Sequence, residues 1–515
     1  MSRFLVTSNR VPIAASSNPP HVVTELSSER SVWTDRRIGI ALFVGVLAIY
    51  VAVLRGRIEA YDTEAMLSVT KNLVDHGSLT TVGSGWVLGP VSTPYAPYGI
   101  GVSILAVPAY LISKVTGHFP VVVSLIAPVI TAFCVVCIYR IARSLRWRPL
   151  HGVASALAFG LLSMAVWYTV ELFSEPGVTL CVLVMVLGLI RWSQGSRWAA
   201  LWVGLAAACA LQLRSDSLFT VWIMLVAAPF FVPWKDIRSR RTVATVFVPM
   251  AASVGVLIWY NEIRYKKPIV SSYGPGGGFS TPLWHGLRGL LFSPGKSMFV
   301  FNPLTILGVV GLVLLFFYPG VRNRPMAVLM AIAVVPRVLF FAKWGVWDAG
   351  SVWGPRFLLP SVAVLSVAIV PVFQATDPRR VTGVMMRVAF AFLAIVAGFV
   401  NFLSVRLPLG EWLSIISDPT WRARLGIHGL ESAAAQANAI DFSVRYSPIW
   451  GYVTILQRGI AITSADLWTS GHDLLGWLLL AFGAAAVIGA LIGASSPRGL
   501  HSALRSGGRI DEPSE

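Results

Sequence analysis

The sequence predicts an all-α polytopic membrane protein, because its composition is too apolar for a soluble chain and its apolar residues form repeated long runs. Of its 515 residues, 56% are hydrophobic and 12% are charged, and the mean hydropathy is +0.71. Soluble domains carry roughly 25% charged residues, and disordered chains carry more. The composition therefore excludes a soluble globular enzyme and a disordered protein.

The apolar runs predict about 12 transmembrane helices, since each is close to the length that crosses ~30 Å of hydrocarbon. The predicted spans are 38–54, 119–140, 152–170, 177–191, 198–212, 217–233, 242–260, 299–318, 325–341, 358–375, 388–405 and 474–494. The shorter run 99–113 contains Pro108. Counting it as a span would place the basic cluster Arg140–Arg148 outside, against the positive-inside rule. We therefore assign this run to a helix on the outer membrane surface.

With that choice, both termini and all later short basic loops lie in the cytosol. The predicted organisation is a cytosolic tail (1–37), a transmembrane core (38–405) with a first outer loop (55–118), an extracytoplasmic region (406–473), a last span (474–494) and a cytosolic tail (495–515). The net charge is +18, which in a soluble protein would suggest a nucleic-acid partner. Nearly all of the excess falls in the predicted cytosolic segments, so we expect membrane lipids and no nucleic acid as partners.

The first outer loop begins with a pair of carboxylates, in the sequence Tyr61-Asp62-Thr63-Glu64. A carboxylate close to a membrane surface suits general base chemistry, although acidic residues are also common in the first turn of a solvated helix. Asp62 is the preferred base because it is the first acid of the motif and follows Tyr61. Glu64 is the second candidate, and the pair could also bind Mg²⁺ or Mn²⁺.

Further short motifs follow Asp62 and Glu64 along roughly residues 38–375: Tyr95-x-Pro97-x-Gly99, Asn261–Pro268, Gly289–Gly295 and Trp353-Gly354-Pro355-Arg356. These motifs and their order resemble the GT-C superfamily of polytopic glycosyltransferases. Within it, the chain is most similar to family-39-like members, namely protein O-mannosyltransferases and the lipid A aminoarabinose transferase. The chain departs from the family where Thr63 separates two acids that are usually adjacent. It departs again at Ala96, where the aminoarabinose type has a basic residue.

The resemblance implies a GT-C-like helical bundle with extracytoplasmic loops and surface helices. It also implies an inverting glycosyltransferase of a bacterial plasma membrane, with its active site on the extracytoplasmic side. Such an enzyme moves a hexosyl or pentosyl group from a polyprenyl-phosphate donor to a glycan, lipid or protein of the cell envelope. We expect no required cofactor, with Mg²⁺ or Mn²⁺ as the alternative.

Several residues are expected to bind the substrates. Arg356 is the first candidate for the donor phosphate, because a guanidinium matches phosphate geometry; Arg264 and Lys343 are secondary. Arg214 and Asp216 mark the outer end of a predicted span, and Glu171 flanks an outer turn. The expected substrate-binding residues are Tyr61, Tyr95, Tyr98, Glu175 and Asp348.

Other functions are less compatible with the sequence. A transporter or flippase of lipid-linked saccharides predicts charges inside the spans. Ionisable residues are nearly absent there, and Arg337 is the main exception. A polymerase or ligase of surface polysaccharide generally uses a late outer loop rather than an early acidic motif. The segment Gly295-Lys296-Ser297 resembles the end of a phosphate-binding P-loop, but Leu290 stands where that motif requires glycine.

Overall fold

A computed structural model describes residues 21–81, 95–269, 278–406, 409–460 and 473–495. The described residues fold into α-helices joined by turns and short 3₁₀ segments, with no strand among them. The helices are α1 (His21–Ala52), α2 (Tyr61–His76), α3 (Ile100–Thr116), α4 (Phe119–Ser124), α5 (Ile126–Ser144), α6 (Pro149–Leu161), α7 (Glu175–Ser193), α8 (Ala199–Leu213), α9 (Ser217–Ala227), α10 (Trp234–Ile237), α11 (Arg240–Tyr265), α12 (Leu283–Phe292), α13 (Met298–Phe301), α14 (Thr305–Phe317), α15 (Arg324–Lys343), α16 (Leu359–Val367), α17 (Val370–Ala375), α18 (Val381–Arg406), α19 (Leu409–Ser417), α20 (Pro419–Leu425), α21 (Ala433–Phe442), α22 (Pro448–Gln457) and α23 (Asp473–Ser495).

The protein is a multi-pass membrane protein. Within the described ranges, seven helical segments are long and apolar enough to cross a membrane, and five shorter helices are also apolar. Each predicted span falls on one helix or on consecutive helical segments. The seven segments are Phe119–Ser144, Glu175–Ser193, Arg240–Tyr265, Arg324–Lys343, Arg356–Ala375, Val381–Val405 and Leu474–Ser495.

The first and last spans lie side by side, so the bundle joins the two ends of the chain. A Cβ atom on Gly483 of α23 would lie 2.7 Å from the carbonyl oxygen of Gly45 in α1. Only glycine permits so close an approach, and small residues at such crossings are typical of helices that pack within a membrane.

Helix ends predicted on the same side of the membrane do meet in the structure. At one end of the bundle, Arg143 at the end of α5 pairs with Asp35 of α1 at 2.9 Å. At the other end, Arg55, just after α1, donates to the carbonyl oxygen of Ser404 near the end of α18. Thr281 donates at that end to the carbonyl oxygen of Trp344, just after α15, at 2.7 Å. We call this second end the loop end.

Helix α3, the predicted surface helix, packs against α2 and against the loop end of α8. A Cβ atom on Gly101 would lie 2.7 Å from the carbonyl oxygen of Gln212, so glycine is required for this approach. Thr70 of α2 donates to the carbonyl oxygen of Ser103 at 2.9 Å. These contacts fix α2, and with it the first acidic motif, at the loop end of the bundle.

Candidate active site

Asp62 lies in the first turn of α2, and both of its carboxylate oxygens have partners. Helix α2 begins at Tyr61 and ends at His76, and the left-handed conformation of the next residue, Gly77 (φ 64°), stops the helix. The hydroxyl of Tyr98 donates to Oδ1 of Asp62 at 2.6 Å. The guanidinium of Arg356 lies 2.8 Å from Oδ2. The predicted base, a predicted phosphate-binding cation and a predicted substrate-binding tyrosine therefore form one cluster.

Arg356 bridges two carboxylates. Its Nη1 pairs with Asp62. Its Nε lies 2.9 Å from Oε1 of Glu175, so the two groups form an ion pair, but the N–H bond is not directed at this oxygen as a hydrogen bond would be. The side chain is 8% exposed. Its guanidinium carbon lies 5.2 Å from the centre of the Phe173 ring, close enough for a cation–π contact.

A row of alternating charges continues from Arg356 into the protein. Nη1 of Arg214 lies 2.5 Å from Oε1 of Glu175, and its Nη2 lies 2.7 Å from Oδ2 of Asp216. These side chains are almost completely buried, and buried charges are tolerated only when they are paired. Burial would raise the pKa of the Asp216 carboxyl, but Arg214 holds that pKa below its usual value. Glu175 is thus fixed between two guanidinium groups.

A cavity of about 830 Å³ adjoins Asp62 and Arg356. Four segments form its wall: the stretch that leads into α2, the turn before α7, the loop before Arg356, and α19. The lining includes charged groups, hydroxyl groups and aromatic rings, which suits a polar ligand with an apolar part. The lining residues are Arg55, Arg57, Glu59, Ala60, Tyr61, Asp62, Trp167, Val170, Glu171, Phe173, Ala349, Gly350, Ser351, Val352, Arg356, Gly410, Glu411, Leu413 and Ser414.

Glu171 is a buried carboxyl group in this wall, 5% exposed. Its Oε1 accepts a hydrogen bond from the backbone N–H of Ala60 at 3.1 Å and a second from that of Glu59. Burial raises the pKa of Glu171 to about 7, although the two backbone donors act in the opposite direction. Glu171 therefore contacts the backbone that leads into α2.

The structure brings together Tyr61, Asp62, Tyr98, Glu175 and Arg356 of the predicted site residues. Tyr61, Asp62 and Arg356 line the cavity, whereas Tyr98 contacts Asp62 and Glu175 contacts Arg356 from outside the lining. The remaining candidates do not line the cavity. Glu64 is exposed one half-turn beyond Asp62. Tyr95 is half-buried, Lys343 lies at the end of α15, and Asp348 lies near Lys296 and Asp441.

Arg264 supports the site from behind rather than facing the cavity. It is 2% exposed. It donates to the carbonyl oxygens of Ala96 and Tyr98 at 2.9 and 2.8 Å. Through these bonds it holds the segment that carries the Tyr98 hydroxyl. In this structure its predicted role in phosphate binding is replaced by a contact with the backbone.

The segment that resembled a P-loop also supports the cavity wall. Lys296 is buried, and its ammonium group donates to the carbonyl oxygens of Gly350 and Val352, the latter at 3.0 Å. A Cβ atom on Gly295 would lie 2.1 Å from the carbonyl oxygen of Ile440. The motif therefore joins α21 to the loop that precedes Arg356.

The sequence did not single out the α19 part of the wall. Glu411 and Ser414 lie beyond the range of the family resemblance, on a short helix without a motif, so no signal was present there. Arg55, Arg57 and Glu59 had a weak signal, because these charges stand between the first span and Asp62. In the structure Arg55 and Arg57 both pair with Glu59.

The described residues include no group of three or more His, Cys, Asp or Glu side chains that could hold a metal ion. Asp62 and Glu64, the predicted alternative ligands, do not converge. The oxygens of Asp62 are held by Tyr98 and Arg356, whereas Glu64 is exposed.

No protein-family model matches the chain, and no curated protein matches its sequence significantly. Solved structures similar to it include ArnT from Cupriavidus metallidurans bound to undecaprenyl phosphate, at 13% identity and a TM-score of 0.49, covering 88% of this chain and 77% of that chain. ArnT in the apo state gives 13% identity and a TM-score of 0.47, covering 90% and 78%. The Archaeoglobus fulgidus oligosaccharyltransferase tethered with an acceptor peptide gives 12% identity and a TM-score of 0.40, covering 88% and 71%.

Proposed function

We propose that this protein is an inverting membrane glycosyltransferase. It takes a sugar from a polyprenyl-phosphate donor and transfers it to a hydroxyl group of a glycan, lipid or protein of the cell envelope. One observation carries the proposal: Asp62 and Arg356, a carboxylate and a cation, lie in contact at the wall of the same cavity. A transfer from a lipid phosphate needs both a base for the acceptor and a cation for the leaving group.

Asp62 is the base. An acceptor hydroxyl that enters the cavity gives its proton to the Asp62 carboxylate while its oxygen forms a bond to C1 of the sugar. The bond between C1 and the phosphate oxygen breaks at the same time, and its electron pair leaves with the polyprenyl phosphate. Attack from the face opposite the phosphate inverts the configuration at C1.

Arg356 stabilises the leaving phosphate. In the structure its Nη1 contacts Asp62 and its Nε contacts Glu175. A donor phosphate would compete with Asp62 for Nη1, while Glu175 keeps hold of Nε. Donor binding would thus occupy the cation and release the carboxylate for the acceptor proton.

We also propose that the loop end faces the outside of a bacterial plasma membrane. The positive-inside distribution of Lys and Arg supports this orientation, and the contacts between helix ends agree with the predicted grouping. An alkaline phosphatase or green fluorescent protein reporter fused after Arg146 tests it. We expect a cytosolic signal, and an extracytoplasmic signal would overturn the proposed orientation.

The enzyme assay uses the full chain in lipid nanodiscs with a panel of polyprenyl-phosphate sugars and an extract of cell-envelope acceptors. We expect the wild type to release polyprenyl phosphate from one donor, and Asp62→Asn to be slower by at least about 100-fold. If no donor is consumed, or if Asp62→Asn is as active as the wild type, the proposal is wrong. Movement of an uncleaved donor across proteoliposomes would instead favour the flippase alternative.

A further inference from the structure

The first turn of α2 has unusual support at its N-terminus. The N-cap residue is Ala60, which has no side-chain oxygen to accept the free backbone N–H groups at a helix start. The carboxyl group of Glu171 accepts from the N–H groups of Glu59 and Ala60, which are the residue before the N-cap and the N-cap itself. A residue from the turn before α7 therefore holds the chain where it enters α2, as a capping-box side chain holds the N–H group of the N-cap residue.

A second contact joins the same two segments. The hydroxyl of Thr63 donates to the carbonyl oxygen of Leu172 at 3.2 Å, and Thr63 is buried. Residues 171 and 172 thus hold the chain both before and after Asp62. We call this pair of contacts the α2 clamp.

The turn that provides the clamp is itself held by aromatic contacts. The ring of Phe173 stacks on Trp167 at 5.6 Å between centroids and meets Tyr168 edge to face at the same distance. Tyr168 is buried and donates to the carbonyl oxygen of Trp353, close to Arg356 in the chain. The clamp therefore places Asp62 relative to the segment that carries Arg356.

We infer that Glu171 is a positioning residue for Asp62, which acts as a hydrogen-bond acceptor for the start of α2 and does not itself transfer a proton. The inference rests on the proposed function, because it concerns the placement of the proposed base. One oxygen of Glu171 accepts hydrogen bonds from two backbone N–H groups, those of Glu59 and Ala60, where the chain enters α2. A loss of these bonds would let the start of α2 shift, and a shift of about 1 Å can slow catalysis by about 100-fold.

The test separates the acceptor oxygen from the ionisable group. Glu171→Gln keeps an oxygen that can accept both N–H groups, whereas Glu171→Leu removes it. Thr63→Val removes the second contact of the clamp with little change in volume, and it serves if Glu171→Leu does not fold. Glu431→Leu is the matched control, because Glu431 also accepts a backbone N–H, that of Gly429, at an exposed position outside the cavity.

Hydrogen exchange measures the clamp without any donor. In the full chain in nanodiscs, we expect the amides of residues 59–64 to exchange at least about tenfold faster in Glu171→Leu than in the wild type. They should exchange near the wild-type rate in Glu171→Gln and in Glu431→Leu. Exchange at the wild-type rate in Glu171→Leu would overturn the inference. If Glu171→Leu does not fold, exchange at the wild-type rate in Thr63→Val would overturn it.

Kinetics with the donor that the panel identifies give the second readout. We expect kcat to fall about 100-fold in Glu171→Leu with KM for the donor changed less than about threefold, and kcat to stay within about fivefold in Glu171→Gln. If Glu171→Gln is as slow as Glu171→Leu, Glu171 acts through its charge or proton and the inference is wrong. Activity that persists in Asp62→Asn would overturn the proposed function instead, while the exchange result would still report on the clamp.

Discussion

Arg356 and Asp62 contact each other directly, with 2.8 Å between a guanidinium nitrogen and a carboxylate oxygen. Asp62 lies in the first turn of α2, and Arg356 lies just before α16. Because the guanidinium and the carboxylate carry opposite charges, the contact explains how both groups can lie in one small site. In the proposed mechanism, each neutralises the other until a phosphate binds Arg356 and a hydroxyl group binds Asp62.

The first prediction concerns the shape of the Arg356 side chain. Arg356→Lys keeps the charge but cannot bridge Asp62 and Glu175, because an ammonium group has no planar fork. We expect KM for the donor to rise about tenfold and kcat to fall about 100-fold. Steady-state kinetics check this, with Arg445→Lys as the control because Arg445 is exposed and outside the cavity. Equal kinetics for wild type and Arg356→Lys would show that only the charge matters.

The second prediction decides between the two acids of the first motif. Side chains two residues apart on a helix are rotated by about 200° about the helix axis and lie on nearly opposite faces. Asp62 and Glu64 therefore cannot both face the cavity. We expect Asp62→Asn to lose at least about 100-fold in kcat and Glu64→Gln to lose less than about threefold. The reverse order, measured on the same donor, would make Glu64 the base.

The positions of Asp62 and Glu64 on α2 show how much could be predicted from the sequence. Hydropathy and basic loops predicted the spans and the surface helix α3, and short motifs predicted Asp62, Tyr98, Glu175 and Arg356 as site residues. The sequence preferred Asp62 to Glu64 only by its place in the motif, because the side that each acid faces depends on where α2 begins. Ala60 gives no capping signal, and Glu171, which accepts the N–H group of Ala60, comes from a distant part of the chain.

The positions of Arg264 and α19 relative to the cavity could not be predicted from the sequence either. A basic residue in a predicted outer loop could bind a phosphate or a backbone carbonyl, and only the fold shows that Arg264 binds the carbonyls of Ala96 and Tyr98. Glu411 and Ser414 line the cavity because α19 folds back over it. Such long-range packing leaves no local pattern in the sequence.

The third prediction concerns the buried charge row. Glu175 is 1% exposed and lies between Arg214 and Arg356. Glu175→Gln removes the negative charge and leaves both guanidinium groups close together, so we expect the free energy of unfolding to fall by on the order of 3 kcal/mol. Thermal unfolding in one detergent measures the loss. Asp75→Asn is the control, because its ion pair with Lys114 is exposed and should contribute much less to stability. Equal melting temperatures for the two variants would contradict this role of Glu175.

The last prediction uses a carboxyl group behind the cavity wall. Burial raises the pKa of Asp441 from 3.8 to about 7; nearby Lys296 opposes this shift and Asp348 adds to it. A pKa that is higher in the folded state means that the folded protein binds the proton more tightly than the unfolded chain. The contribution to stability is therefore complete below about pH 4 and is lost as the pH rises through 7.

Asp441→Asn removes this titration, so its melting temperature relative to wild type should rise between pH 5 and pH 7.5. Asp418→Asn is the matched control with the opposite sign. The backbone N–H groups of Thr420 and Trp421 hold the pKa of Asp418 below 3.8, so this group stays ionised across that range. Its substitution should shift the melting temperature by the same amount at both pH values. If the difference in melting temperature between Asp441→Asn and wild type is also the same at both pH values, Asp441 does not titrate in this range. Burial would then not raise the pKa of its carboxyl group to about 7.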